Sequence, residues 1–177
     1  MIELITGPMF SGKTTEMMRR IERYQIAGKN VCVVRPEIDN RENMTHSGTQ
    51  YSIPILQSNS NMKDFKELVL PYDVIGMDEL QFFPEGFVKV IDRLANDKIF
   101  ICSAINGTSE RKEWATVQKL IPLIDDIEFV HAVCNHCGDQ YASRTYFVEG
   151  GKKQDVVVGG KDHYMALCRS CYELFET

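Results

Sequence analysis

Residues 7–14 have the sequence Gly7-Pro8-Met9-Phe10-Ser11-Gly12-Lys13-Thr14, which is the strongest indication of the fold in this chain. A glycine, four residues and then Gly-Lys-Thr is the spacing of a loop that surrounds a polyphosphate with backbone N–H groups, because glycine lets the backbone turn inward without steric cost. In such loops the lysine reaches the β- and γ-phosphates and the threonine hydroxyl ligates Mg²⁺. We therefore predict that all eight residues of Gly7–Thr14 form a nucleotide phosphate site.

The segments on either side of this loop support the same prediction. The apolar residues in Ile2–Ile5 indicate a buried strand before the loop. After it, Met17, Ile21 and Tyr24 recur at helical spacing, and Gly28 is typical of a residue that ends a helix. A helix that begins at the loop points the positive end of its dipole at the anion. A chance match to the motif is the alternative, and these flanks disfavour it.

Composition and charge exclude several classes of protein. The chain has 177 residues, which is room for one substantial core and a small appendage. No apolar run approaches the roughly 20 residues of a membrane helix, and the N-terminus lacks a signal-peptide pattern, so we expect no membrane association and a cytoplasmic location. The net charge of −5 argues against a nucleic-acid partner, which would need clustered basic residues.

Further apolar runs predict an α/β fold. Four of them have strand character, separated by segments with helical spacing or turn residues: Val31–Val34, Val74–Met77, Ile99–Ile105 and Ile127–Val133. Near-continuous Val and Ile indicate strands covered on both faces, so we predict a P-loop (RecA-like), mostly parallel sheet with flanking helices and with ligands beyond the carboxyl strand ends.

Residues 38–57 are polar and predict a long loop, and Met62–Leu70 predicts a helix capped by residues 59–61.

Two acids follow one of the predicted strands. Asp78 and Glu79 come directly after Val74–Met77, at the position from which a second P-loop element orients Mg²⁺ and an adjacent acid takes a proton. We therefore assign Asp78 to the metal and Glu79 to the general base; a structural cap at the strand end is the alternative. Arg41, in the predicted loop, could close over the phosphates or lie at the surface.

Four cysteines predict a zinc site in the C-terminal part of the chain. Cys134/Cys137 and Cys168/Cys171 form two Cys-x-x-Cys pairs separated by 30 residues, a pattern that suits tetrahedral Zn²⁺ with four thiolates. Disulfides are the alternative, which a reducing compartment disfavours. A closed site of four cysteines is structural rather than catalytic. We predict a nucleotide-binding domain over residues 1–133 and a small zinc-ribbon or lasso domain over 134–177.

These marks together resemble the type II thymidine kinase family, the compact enzymes of cells and several large DNA viruses. The resemblance covers essentially the whole chain. It is carried by the phosphate loop, Asp39-Asn40-Arg41, Asp78-Glu79-Leu80-Gln81-Phe82-Phe83-Pro84, Asn106-Gly107-Thr108, Arg111-Lys112, both cysteine pairs, and Gly159-Gly160 before Tyr164.

The resemblance implies transfer of the γ-phosphoryl group of ATP, with Mg²⁺, to the 5′-hydroxyl of thymidine. It implies Glu79 as the base, with Arg41 and Lys13 in the phosphate site and Asp78 at the metal. The zinc-held lasso would close over thymidine. The implied substrate-binding residues are Met9, Asp39, Phe82, Ile105, Thr145, Val158, Gly159 and Tyr164. A homotetramer and feedback inhibition by thymidine triphosphate are further implications of the resemblance.

Some residues depart from the family pattern. Ser109 stands where many members have an aromatic residue, and Thr145 follows Cys137 by eight positions rather than about seven.

Two rival functions stay open: a P-loop ATPase whose zinc knuckle binds DNA or a protein, and a kinase of another deoxynucleoside. Stimulation of ATP hydrolysis by DNA would distinguish the first, and product analysis the second.

Overall fold

The computed structural model describes residues 1–39, 52–148 and 163–176. Its strands and helices form one large sheet with helices around it and a smaller unit near the C-terminus. The large sheet contains β1 (Ile2–Gly7), β2 (Val31–Pro36), β3 (Ile55–Ser58), β4 (Val74–Met77), β5 (Ile99–Ile105) and β6 (Asp126–Phe129). The helices between its strands are α1 (Lys13–Ile26), α2 (Met62–Val69), α3 (Gly86–Leu94) and α4 (Ala115–Leu120). The smaller unit contains β7 (Arg144–Phe147), β8 (Tyr164–Leu167) and α5 (Arg169–Glu176).

The large sheet has the strand order β3-β2-β4-β5-β1-β6, and every neighbouring pair is parallel. This confirms the predicted α/β fold with a mostly parallel sheet. Because the strands are parallel, their carboxyl ends meet at one edge, where Gly7 of β1 is in register with Ile105 of β5. Asp78 follows β4 on the same edge, so the topology brings the phosphate loop and the predicted acids together.

Both faces of the sheet are buried at its four inner strands, β1, β2, β4 and β5, as the apolar runs predict. Alternate residues of a strand point to opposite faces, so Leu4 and Ile5 of β1 belong to two different core clusters. The cluster around Ile5 packs under α1, and the cluster around Leu4 packs under α2, α3 and α4. Cys32 and Cys102 are buried strand residues whose thiol pKa values burial raises to about 12, so both behave as small core hydrophobes.

Two strand predictions need correction. The run Ile127–Val133 forms a strand only through Phe129, and β6 is an edge strand in which Ile127 is 52% exposed and not covered on both faces. The predicted loop over residues 38–57 contains the start of β3, which pairs with β2 from Ile55. This strand is short and lies at the opposite edge, so its sequence carries little burial signal. Residues 40–51 of the predicted loop lie outside the described residues.

The second predicted helix is confirmed as α2. The Asn61 side chain accepts a hydrogen bond from the backbone N–H of Lys63 at 2.9 Å, so Asn61 is the cap among the three candidates. None of the helices in the part of the chain that the structure describes is long and apolar enough to cross a membrane.

The smaller unit has its own core. β7 and β8 pair antiparallel, and α5 packs against both. A third buried cluster lies between these elements, apart from the two clusters of the large sheet; its members are Ala132, Cys134, Ala142, Ala166, Leu167, Cys168, Cys171 and Tyr172. The domain boundary between residues 133 and 134 stays a prediction.

An ion cluster joins α1 to strands β1 and β6. The Arg20 guanidinium, 15% exposed, pairs with Glu3 at 2.6 Å, with Glu16 at 2.9 Å and with Glu128. The pKa of Glu16 falls to about 2, chiefly because Arg19 donates a hydrogen bond to its carboxylate; burial opposes the shift and Arg20 adds to it. Arg19 is 55% exposed and pairs with Glu16.

This cluster predicts how stability changes with pH. A folded-state pKa below the ordinary 4.5 stabilises the fold above pH 4.5, and that contribution is lost as pH falls toward 2. Arg20 also pairs with Asp126 at 3.5 Å, so Arg20→Met leaves four carboxylates without this partner, and we expect about 1–3 kcal/mol less stability at pH 7 in urea unfolding, with a smaller loss at pH 3. The matched variant Arg19→Met should cost clearly less than Arg20→Met, because Arg19 is exposed and water screens its ion pair, and equal losses for the two variants would contradict this prediction.

Candidate active site

Two glycines give the phosphate loop its path. A Cβ at Gly7 would lie 2.1 Å from the carbonyl oxygen of Val130, so only glycine fits where β1 meets the loop. Gly12, the residue before α1, has a φ of 85°, a left-handed conformation that glycine adopts without strain. The predicted strand, loop and helix are therefore present, and the N-terminus of α1 faces into the loop.

Side chains within the loop hold it closed. The Lys13 ammonium donates to the Pro8 carbonyl at 2.7 Å, and the Ser11 hydroxyl donates to the same oxygen at 2.8 Å. Phe10 adopts a positive φ of 63°, which is uncommon outside glycine, and its side chain packs against the core of the smaller unit. The phosphate loop thus contacts both parts of the molecule.

Asp78 and Thr14 meet at the carboxyl edge of the sheet. The Thr14 hydroxyl donates to Oδ1 of Asp78 at 3.0 Å, and the Ser103 hydroxyl donates to the same oxygen at 2.5 Å. Asp78 is fully buried. Mg²⁺ binds oxygen ligands such as carboxylates and hydroxyls. Thr14 and Asp78 are therefore the residues that would hold the metal. Ser103 was not predicted, although a serine inside the apolar run Ile99–Ile105 was a usable signal.

Glu79 lies one residue further, in a strained turn. Its φ and ψ are 53° and 47°, the left-handed region, and it is half-buried. The Gln81 side-chain amide donates to Oε2 of Glu79 at 2.5 Å and accepts from the backbone N–H of Ile105 at 3.2 Å. The predicted base is therefore joined through Gln81 to the end of β5. The sequence motif contained Gln81, but nothing in its spacing indicated this role.

Several predicted substrate-binding residues lie between the two units. The Met9 backbone N–H donates to the Thr145 hydroxyl at 3.0 Å, which joins the phosphate loop to β7. Thr145 is buried, and Ile105 lies at the end of β5 next to Asn106, whose amide donates to the Ser143 carbonyl at 3.2 Å. These contacts place Met9, Ile105 and Thr145 at the boundary between the large sheet and the smaller unit. Their binding of substrate stays a prediction.

The remaining predicted residues have varied environments. Asp39 is buried, and its carboxylate accepts from the Arg35 guanidinium at 2.9 Å. Phe82 packs edge to face on Trp114 with ring centroids 5.8 Å apart. Tyr164 begins β8 and packs on Phe147, with centroids at 5.4 Å. Three other predicted residues, Arg41, Val158 and Gly159, lie outside the described residues.

The four cysteines come together as predicted. Their sulfur atoms all lie within 4.8 Å of one another, and Cys137 Sγ and Cys168 Sγ are 3.8 Å apart. Zn–S bonds of about 2.3 Å in a tetrahedron put sulfurs roughly 3.8 Å apart, so the set fits Zn²⁺. His136 is exposed, and its Nδ1 lies 3.3 Å from Cys171 Sγ, a distance at which it can hydrogen-bond to one of the four candidate zinc ligands.

Backbone hydrogen bonds favour the thiolate form of one of the four cysteines, Cys134. Burial opposes charge on Cys134, but backbone N–H groups of Cys137, Cys168 and His136 lower the pKa of its thiol to about 6. Burial, together with the neighbouring thiols, raises the pKa of Cys171 above its ordinary value. Cysteines bind a metal as thiolates, so they must lose their protons on binding. A cation at this cluster would stabilise the charged sulfur of Cys134 and favour loss of the protons from the neighbouring thiols.

A second set of contacts joins α5 to the loop after β5. The Tyr172 hydroxyl donates to the Ser109 carbonyl at 2.6 Å, and the Arg111 guanidinium lies 5.1 Å from the centre of the Tyr172 ring. Arg111 also pairs with Glu176 at 2.8 Å. Ser109, which departs from the family pattern, therefore contributes its backbone to this junction between the two units.

Comparison with known proteins identifies the family. A family model described as thymidine kinase matches residues 1–172. The chain belongs to the thymidine kinase family. Its curated relatives include the thymidine kinases of Pseudothermotoga lettingae, 36% identical over 97% of this chain and 94% of the relative, and of Myxoma virus (strain Lausanne), 38% identical over 97% and 95%. The thymidine kinase of Mesoplasma florum is 36% identical over 98% of this chain and 91% of its own length.

Proposed function

We propose that this protein transfers the γ-phosphoryl group of ATP to the 5′-hydroxyl of thymidine, giving thymidine monophosphate and ADP. The contact between Thr14 and Asp78, with Glu79 next in the chain, carries the proposal. It puts a pair suited to a metal and a second acid beside a phosphate loop, which are the parts that phosphoryl transfer to an alcohol requires. Membership of the thymidine kinase family supports thymidine as the alcohol.

The phosphate side of the reaction depends on positioning. Backbone N–H groups of residues 10–14, which include the N-terminus of α1, bind the ATP phosphates, and Lys13 turns from Pro8 toward the β- and γ-phosphates. Thr14 and Asp78 would hold Mg²⁺, which would neutralise charge on the phosphates when bound. We place Arg41 at the same phosphates, where its guanidinium offers planar donors to developing charge.

Glu79 removes the proton of the acceptor. Its carboxylate accepts the 5′-hydroxyl proton while the oxygen of that hydroxyl forms its bond to the γ-phosphorus, and the bond from phosphorus to the β-phosphate oxygen breaks. Glu79 is half-buried in a left-handed backbone conformation, whereas Asp78 is fully buried at the proposed metal site. The two adjacent acids therefore take different roles.

The zinc-held unit supplies the nucleoside pocket. We propose that Zn²⁺ bound to Cys134, Cys137, Cys168 and Cys171 is structural and joins the two ends of the segment that closes over thymidine. The proposed pocket residues are Met9, Asp39, Phe82, Ile105, Thr145, Val158, Gly159 and Tyr164. The Met9–Thr145 hydrogen bond supports this arrangement, because it joins the phosphate loop directly to the unit that would hold the nucleoside.

Three further properties are proposed from the family alone: a homotetramer, feedback inhibition by thymidine triphosphate, and a cytoplasmic location. Four clustered cysteines without a disulfide between them are compatible with a reducing compartment.

The rate of ADP formation tests the proposal against its rivals. We expect slow ADP release from ATP and Mg²⁺ alone, and stimulation of at least about 100-fold on addition of thymidine, because the acceptor hydroxyl replaces water. Single-stranded DNA in place of thymidine should have no effect. Stimulation by DNA and not by thymidine would contradict the kinase proposal and support an ATPase.

A further inference from the structure

The buried Gln81 side chain joins Glu79 to the end of β5 through its amide group. It is 7% exposed, in the single-turn 3₁₀ segment Leu80–Phe82, and both of its polar atoms have partners. Its Nε2 donates to Oε2 of Glu79 at 2.5 Å, and its Oε1 accepts from the N–H of Ile105 at 3.2 Å. Because the Ile105 N–H can only donate, the amide oxygen faces Ile105, and the NH₂ group therefore faces the Glu79 carboxylate.

We propose that Gln81 is a positioning residue for the proposed base, and this inference rests on the proposed function. The Glu79 side chain starts from a strained backbone and has three rotatable bonds, so a fixed donor to Oε2 selects one orientation and directs Oε1 toward the acceptor. Gln81 is itself held by the last residue of β5, a strand inside the sheet. The base is thus oriented by the rigid sheet and not only by its own turn.

The chemistry of the Gln81 amide has a specific consequence. It donates one hydrogen bond to the Glu79 carboxylate but does not transfer a proton to it. Glu79 therefore keeps its capacity to accept a proton from the hydroxyl. A second carboxyl group at position 81 could replace the amide only while it holds a proton. Two carboxylates this close repel each other once both are charged.

Three variants separate this role from a structural one. Gln81→Met preserves the volume and removes both hydrogen bonds; we expect kcat to fall roughly 10- to 100-fold while KM for thymidine and for ATP changes less than about threefold. Gln81→Glu keeps the acceptor for the Ile105 N–H. Its kcat should approach wild type at acid pH and decline at alkaline pH, where wild type stays constant. Gln118→Met, on the exposed face of α4, should match wild type.

The outcomes distinguish this inference from the proposed function. In a Glu79→Gln background, Gln81→Met should cause no further loss, because the two residues act through one group. A wild-type kcat in Gln81→Met, or a pH profile of Gln81→Glu parallel to that of wild type, would overturn the positioning role alone. If Gln81→Met does not fold, the Gln81→Glu profile decides. Full activity of Glu79→Gln would instead overturn the proposed base.

Discussion

Glu79→Gln should lower kcat by roughly 10²- to 10⁴-fold, because it removes the proposed acceptor for the 5′-hydroxyl proton and adds no bulk. The phosphate loop and the pair Thr14–Asp78 do not depend on the Glu79 charge, so binding of ATP and thymidine should stay within about threefold of wild type. Steady-state kinetics give kcat, and calorimetric titration of each ligand gives the binding constants.

The control for this prediction is Glu67→Gln, the same chemical change at an exposed position on α2. It should leave kcat and both binding constants unaltered. A Glu79→Gln enzyme that turns over at the wild-type rate would show that the hydroxyl proton leaves by another route. Loss of ligand binding together with turnover would show that Glu79 acts in binding and not as the base.

Cys137→Ser should release the metal and weaken thymidine binding. Cys137 is the exposed member of the four cysteines, so the substitution removes one thiolate with little change in packing. Because binding of a structural zinc contributes directly to folding of the site, we expect the smaller unit to loosen, KM for thymidine to rise at least about 10-fold and the melting temperature to fall. ATP binding at the loop after β1 should persist.

Zinc content by elemental analysis, thymidine titration and thermal unfolding test this prediction together. Ser170→Ala is the matched control, since Ser170 is exposed between Cys168 and Cys171 and is not one of the four clustered cysteines. A strong chelator should reproduce the effect of Cys137→Ser in wild type. Unchanged thymidine affinity in metal-free protein would contradict the role proposed for zinc in holding the nucleoside pocket.

The features that were predictable from sequence depend on local pattern. Glycine spacing and the flanking apolar segments predicted β1, the phosphate loop and α1, because backbone conformation and burial there are encoded within a few residues. The same applies to Asp78 at the end of β4 and to the two cysteine pairs. Their partners, Thr14 for Asp78 and the second cysteine pair for the first, were predictable because the motifs themselves imply them.

The features that were not predictable depend on tertiary contacts. β3 has too little burial to be distinguished from a loop, and β6 ends early because it is an edge strand. Gln81 contacts Glu79 from a turn, which no spacing rule encodes. Ser103 was recognisable as a polar residue in an apolar run, but its contact with Asp78 depends on the pairing of β4 with β5. The junction between Tyr172 and the Ser109 carbonyl likewise joins residues 63 positions apart. Such contacts follow from the register of the sheet and the docking of the smaller unit.

Transfer of label from [γ-³²P]ATP tests the proposed reaction most directly. Wild-type protein with Mg²⁺ is incubated with thymidine, deoxyuridine, deoxycytidine or deoxyguanosine, and the products are separated by chromatography. We predict label in thymidine monophosphate, at the 5′ position, with much less in the products of the other nucleosides. Label that appears only as inorganic phosphate would contradict a kinase, and label mainly in another nucleoside monophosphate would contradict the proposed thymidine pocket.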